Sequence, residues 1–500
     1  MAINSLGGSS PLLNQSILNI QNQLNTAQLQ LSTGEKGTTY SAMGSGEEFA
    51  ISARAQLAEI TGFQNASTNA TTAINLANTA LQSLADTASQ VQQAAATGNA
   101  TVNSNGQSTA QTSAVTELQS MLSLLNTQSG NNFVFSGNAI NTPAVASADQ
   151  ILNGNGAQAG LTQVISEEQQ ADLGANGLGR LTVSAPSATS VSLTEDTSPF
   201  GMKLNSVTST LTGATVTGPT GTPGSISVAL GATNPNPGDQ ISFTLNMPDG
   251  TTQTIQLTAT TTSPPPAGSF TIGTTSAATA TNLQNALTSS IGTVANTSLV
   301  AASAMEATSN FFASPPQRVD GPPFDTATSL VNGTAANTVS WYTGGTTTGS
   351  PLATQSTQVG SGVTVQYGIQ ANEPAIASQL QAVAAFAAFS TSATNPNASA
   401  QVAALGSSVA QALTPQPGQQ TIADIQTDLA NATTTIKSVT AQQTQTQTTL
   451  QNVISQVETV SPDQVASQML SLQNSLQASF ETSSTLSQLS LLKFLPIPDP

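Results

Sequence analysis

The chain has 500 residues, only 6% of them charged and 4% aromatic, and a formal net charge of −17 from 7 Lys and Arg against 24 Asp and Glu. So few cations cannot neutralise a phosphate backbone or an anionic lipid surface, so no nucleic-acid or membrane-surface partner is expected. The longest apolar stretch, Ala382 to Phe389, is too short to span a bilayer, so no membrane insertion is expected either. The absence of His and Cys removes the usual proton shuttle, the thiol nucleophile, disulfides and most transition-metal ligand sets, so neither an enzyme nor a cofactor is expected.

The first predicted helix carries apolar residues alternately three and four apart, at Leu13, Ile17, Ile20, Leu24, Ala27 and Leu31, the spacing of one continuous helical seam. Gly34 suits its C-terminus. A longer seam runs from Ile60 and Phe63 through Ile74, Leu81, Leu84 and Val91 to Ala95 and ends at Gly98. A third helix follows at Val115, Leu118, Leu122 and Leu125. Asn132-Phe133-Val134-Phe135-Ser136-Gly137 then reads as a short strand entering a turn.

From about 176 to 371 the helical period disappears. Thr, Ser, Gly and Pro punctuate short strands at 226–230, 241–245 and 255–258, and Met247-Pro248-Asp249-Gly250 is a hairpin signal. One amphipathic helix, at Leu283, Leu287, Ile291 and Val294, lies among them. Helix returns after Pro374, breaks at Asn395-Pro396-Asn397 and Pro415-Gln416-Pro417, and resumes as the longest seam of the chain. That seam includes Ile425, Leu429, Ile436, Leu450, Val453 and Val457, with Gln443 and Thr446 as polar interruptions. Ser461-Pro462-Asp463 announces a last helix with a capping residue, a first-position proline and an early acid. Its seam is Val465, Met469, Leu472 and Leu476, closing with Leu486, Leu489, Leu491 and Leu492.

The order is short helix, long helix, strand-rich middle, long helix, short helix, so the two ends are natural antiparallel partners. The fold expected is mainly α at both ends, a long-helix rod with terminal coiled-coil helices, and an inserted β-rich or α+β domain. The divisions are 1–35 and 461–495 for terminal assembly helices, 36–175 and 372–460 for the rod, and 176–371 for a surface-exposed variable insertion. Helices of this composition are marginal alone, and burial of each seam Leu or Ile contributes about 1.5–3 kcal/mol, so a partner orders them cooperatively.

Four segments carry a family resemblance. Leu29-Gln30-Leu31-Ser32-Thr33-Gly34 resembles the "RLSTG" turn that closes the first helix of the flagellin family, and the stretch from Asn69 to Leu84 resembles its "DGISIAQTAEGAL". Asn132 to Gly137 is similar to "YLFGG", and Leu486-Ser487-Gln488-Leu489-Ser490-Leu491-Leu492 to "SLSLLNYL", both more typical of the hook-filament junction branch. The resemblance covers roughly 1–175 and 372–495 and leaves the middle unmatched. The resemblance implies a structural subunit of the bacterial flagellum, a helical homopolymer built through both termini into an extracellular filament for swimming. It also implies partners among the other axial proteins (hook-associated proteins and cap), an export chaperone, and type III export without a cleaved signal peptide. The first 35 residues hold no Lys or Arg, which agrees with that route. Two arginines that many flagellins place on the long N-terminal helix are missing from 88–95, and residues 496–500 depart from the family's usual ending. A junction subunit is the alternative within the family, and a secreted helical-stalk adhesin the alternative outside it.

The acid pairs Glu47-Glu48, Glu167-Glu168 and Glu195-Asp196 read as helix N-terminal charge in the first case and solvated loop charge in the others. Adjacent helical residues point about 100° apart and make a poor acid/base pair. The lone Trp341 reads as strand core, and Gly44-Ser45-Gly46 as a turn.

Overall fold

The computed structural model describes residues 9–39, 41, 44, 46–347 and 349–492. The fold is mixed α+β and about 52% helical. Helices α1 (Ser9–Thr33), α2 (Glu47–Thr97) and α3 (Thr109–Leu125) lead to the two-residue strands β1 (Gln128–Ser129) and β2 (Asn132–Phe133), then α4 (Ala148–Asn153) and α5 (Leu161–Leu173). The segment 132–137 is therefore mostly turn, not strand. Phe135 is buried within it and Gly137 takes a positive φ of 59°, which ends extended pairing there. Helix α2, with 51 residues, begins at Glu47, thirteen residues before its apolar seam becomes regular. Its first turn carries Glu47 and Glu48, where the helix dipole favours acids.

The middle of the chain contributes β3 (Leu181–Ser187), β4 (Ser190–Glu195), β5 (Lys203–Ser209), β6 (Ala214–Thr220), β7 (Ser225–Leu230), β8 (Gln240–Asn246), β9 (Thr252–Thr260) and β10 (Ser269–Thr271), then α6 (Ser276–Ala295) and α7 (Ser298–Phe312). Short strands β11 (Gln317–Val319) and β12 (Leu330–Asn332), β13 (Ser356–Gly360) and β14 (Val363–Gln366) follow, before α8 (Pro374–Ala388), α9 (Ala398–Ala412), α10 (Ile422–Glu458) and α11 (Pro462–Leu492).

Contacts divide the chain into two units. A terminal unit comprises Met1–Asn69, Thr357–Val365 and Thr434–Pro500, and a central unit Ala70–Ser356 and Gln366–Thr433. The dividing lines fall inside α2 and α10, away from the boundaries at 35/36 and 460/461 that the sequence suggests.

The central unit holds two four-stranded sheets, ordered β3-β4-β7-β6 and β10-β9-β8-β5, all antiparallel except the β9–β10 pair. Strand β8 alternates strictly, with Ile241, Phe243 and Leu245 buried between part-exposed neighbours, the period-2 pattern of a sheet with one covered face. The β8–β9 turn is closed by the Met247 N–H donating to the Thr251 carbonyl at 2.8 Å, with Gly250 supplying a φ of 78°. Helix α6 lays Leu283, Leu287 and Ile291 into a core shared by both sheets. The insertion is thus α+β. Beside it, α7 buries Leu299, Ala301, Ala302, Ala304, Ala307 and Phe311 against α5, α8 and α9. The most apolar stretch of the sequence is α8, whose 382–388 run is buried throughout. Trp341 is buried in irregular backbone rather than in a strand, its Nε1–H donating to the Phe312 carbonyl at 2.9 Å.

Candidate assembly surface

In the terminal unit α1 packs on α11. Gly34, with a φ of 73°, closes α1 through its N–H on the Gln30 carbonyl, a left-handed helix end that a side chain would strain. The chain beyond it is stitched to the α10–α11 junction. The Lys36 N–H donates to the Glu458 carbonyl at 2.7 Å, and the Val460 N–H to the Gly34 carbonyl at 3.0 Å. Glu458 also receives Arg54 through two hydrogen bonds, Nε to Oε1 at 3.0 Å and Nη2 to Oε2 at 2.7 Å. Strands β13 and β14 are held on α10 by Gln443, whose Nε2 donates to the Val359 carbonyl at 2.6 Å. The polar interruption in the α10 seam therefore has a structural use.

The seam residues fare differently from one another. Leu13, Ile17, Ile20 and Leu24 on α1, and Met469, Leu472, Leu476 and Leu486 on α11, are half-buried; Ala27 and Val465 are buried. Leu31, in the last turn of α1, is exposed at 43%. The side chains of Leu489, Leu491 and Leu492, and residues 496–500, lie outside the described residues. The residues read as rod core split as well. Ile74, Leu81, Leu84, Val91, Ile425, Leu429 and Ile436 are buried. Leu450, Val453 and Val457 are half-buried and belong to the terminal unit, where few side chains find cover.

That scarcity is general. The apolar residues buried in the terminal unit, among those described, are Ala27, Ala50, Ala53, Ile60, Val359, Val365, Ile436 and Val465, with no Leu, Met or aromatic among them. Conversely, of the ten large apolar side chains most exposed among the described residues, nine are in this unit: Leu12, Leu18, Leu29, Leu31, Phe49, Ile51, Val363, Leu470 and Phe480. Only Val331 is in the central unit. Single exposed apolar residues are ordinary, whereas a concentration of them marks a surface that binds something. Ile60, Phe63, Val363 and Val439 also line an open cleft of about 270 Å³ beneath the β13–β14 turn.

Titratable chemistry concentrates elsewhere, on α5. Glu167, Glu168 and Asp172 are buried there, which corrects the reading of Glu167-Glu168 as solvated loop acids. Arg318 pairs with Glu167, its Nε donating to Oε2 at 3.0 Å and its Nη2 to Oε1. Asp172 accepts the Gly201 N–H at 2.7 Å, yet burial pushes its carboxyl up to about 6 against that bond and one from Ser303. Glu168 has no cation beside it. Burial, then the carboxylates of Asp172, Glu306 and Glu167, push it up to about 9. Glu195 and Asp196 are half-buried acids at the end of β4: Glu195 accepts the Leu204 and Gly224 N–H groups, and Asp196 meets Arg180 at 3.3 Å. Arg180 is held at a left-handed φ of 63°, with its Nε donating to the Ala171 carbonyl at 2.6 Å. Among the described residues no cluster of three or more Asp and Glu could hold a metal ion, and no helix is long and apolar enough to cross a membrane.

A scan against protein-family models matches nothing in this chain, and neither does a search of curated proteins.

Proposed function

We propose that this chain is a structural subunit of the bacterial flagellum that self-assembles through its N- and C-terminal helices into an extracellular filament. The observation that carries the reading is the concentration of exposed apolar side chains on the terminal unit, which pairs helices from both ends of the chain and covers only one stripe of each. Neighbouring copies supply the missing cover, and repetition of one such contact from copy to copy generates a helical polymer. The four sequence resemblances to the flagellin family name the polymer. On this reading α2 and α10 belong to a helical rod, the sheet-bearing part of the central unit faces outward, and type III export delivers the chain. A junction subunit of the same family shares every one of these features except indefinite growth.

Seeded growth tests it. Purified chain is mixed with sheared filament seeds and pelleted. Wild type is expected to sediment with the seeds, and a variant carrying Leu12→Ser, Leu18→Ser, Leu470→Ser and Phe480→Ser to stay in the supernatant with an unchanged melting transition of the central unit. Wild type that adds one layer to the seeds and stops identifies the junction subunit. Wild type and variant that bind seeds equally would remove the terminal unit from the assembly reading.

A further inference from the structure

The α5–α7 layer of the central unit holds more buried acid than base. Glu167, Glu168 and Asp172 project from α5, and Glu306 is the sole titratable group on α7. Of the other elements packed on α5, α4 carries Asp149, β11 carries Arg318, and α8 carries none. Arg318 is committed to Glu167. The two further cations close by are committed too: Arg180 to Asp196 and the Ala171 carbonyl, and Lys203 to the carbonyls of Asp196 and Ser198 at 2.9 and 2.6 Å. Glu168 Oε2 and Asp172 Oδ2, one helical turn apart, are both buried with no hydrogen-bond partner. Ionised together they would put two like charges out of water one turn apart, Asp172 eased by the Gly201 N–H and Glu168 by no cation. A proton on one of them removes that repulsion.

We propose that α5 and α7 are joined through a held proton, seated on Glu168 between Asp172 and Glu306, so that this layer keeps its packing in acid and loosens in alkali. The sign follows from linkage. Glu168 binds its proton more tightly folded than unfolded, since its carboxyl rises from 4.5 to about 9 on burial. The folded state therefore carries one proton more than the unfolded chain between those limits, and stability falls as pH rises through that window. Below pH 4.5 both states are protonated and this group costs nothing further.

The chain supplies its own reporter, because its one tryptophan, Trp341, packs on Phe312, the last residue of α7, with ring centroids 4.8 Å apart. Denaturant unfolding of the full chain, followed by Trp341 fluorescence from pH 6 to 9.5, reads the layer directly. For wild type the unfolding constant is expected to rise with pH, by up to about tenfold per unit for one proton. Glu168→Gln, neutral and of the same shape, is expected to fold and to lose most of that slope. Glu306→Gln removes one carboxylate that holds the Glu168 pKa up, and is expected to end the rise at a lower pH and make it smaller overall. Wild type that is as stable at pH 9.5 as at pH 6 would overturn the proposal. So would a Glu168→Gln variant that keeps the wild-type slope or fails to fold at pH 6.

Discussion

The terminal and central units are written in the same helical code but reach different degrees of burial. In the central unit α6 sinks Leu283, Leu287 and Ile291 to 0–1% exposure, so each contributes the full transfer term of about 1.5–3 kcal/mol. In the terminal unit the equivalent seam positions of α1 and α11 are half-covered and contribute roughly half of that, against a backbone ordering cost of about 1–2 kcal/mol per residue. The contrast teaches that periodicity announces a face and its direction, while only packing decides whether the face is filled within one chain. A seam left half-covered in the monomer is what a subunit needs if it is to fold fully only among copies.

The comparison breaks most sharply at the central unit's buried ion pair. Arg318→Met leaves Glu167, with its side chain only 3% exposed, as an uncompensated buried charge. The expected loss is about 3–5 kcal/mol, read as a fall in the denaturant midpoint of the Trp341 transition. A midpoint within experimental error of wild type would show that the pair adds nothing to the central unit's stability. A smaller and more selective effect separates the units directly. Leu283→Ala is expected to cost about 2–5 kcal/mol in the central transition. Leu472→Ala, on the half-covered α11 seam, is expected to leave that transition unchanged and to weaken seeded assembly instead. Equal losses in the central transition would erase the distinction drawn between the units.

Much of this was legible in the residues themselves. The 3.6-residue period located α1, α6, α10 and α11, and the Ser461-Pro462 cap marked the start of α11. Met247 to Gly250 signalled the β8–β9 turn because proline and glycine fix backbone angles locally. What the sequence hid depends on distant partners. Glu167-Glu168 read as solvated because acids are seldom buried, and nothing local reveals that Arg318, 151 residues away, pairs with the first. The four-residue spacing of Glu168 and Asp172, which puts both on one face of a helix, is the available hint of an acidic helix face. Leu450, Val453 and Val457 had the period of core positions, but their cover depends on helices whose other faces are themselves open. Trp341 reads as strand core from the sequence, while Phe312 at the end of α7 holds it in irregular backbone.

The least effect is expected where the terminal unit looks best bonded. Arg54 reaches Glu458 through two short hydrogen bonds, yet its own side chain is 54% exposed. An ion pair so open to solvent contributes about 0–1 kcal/mol. Arg54→Gln is therefore expected to leave the monomer's melting curve nearly unchanged at low salt and indistinguishable from wild type at 0.5 M salt. Glu458 is also tied by its backbone, since its carbonyl accepts the Lys36 N–H, and that bond survives the substitution. A loss well above 1 kcal/mol would mean that Arg54 fastens the α10–α11 junction to α2 in the monomer. The terminal unit would then be ordered before assembly, and the contrast with the central unit would narrow to one of apolar cover alone.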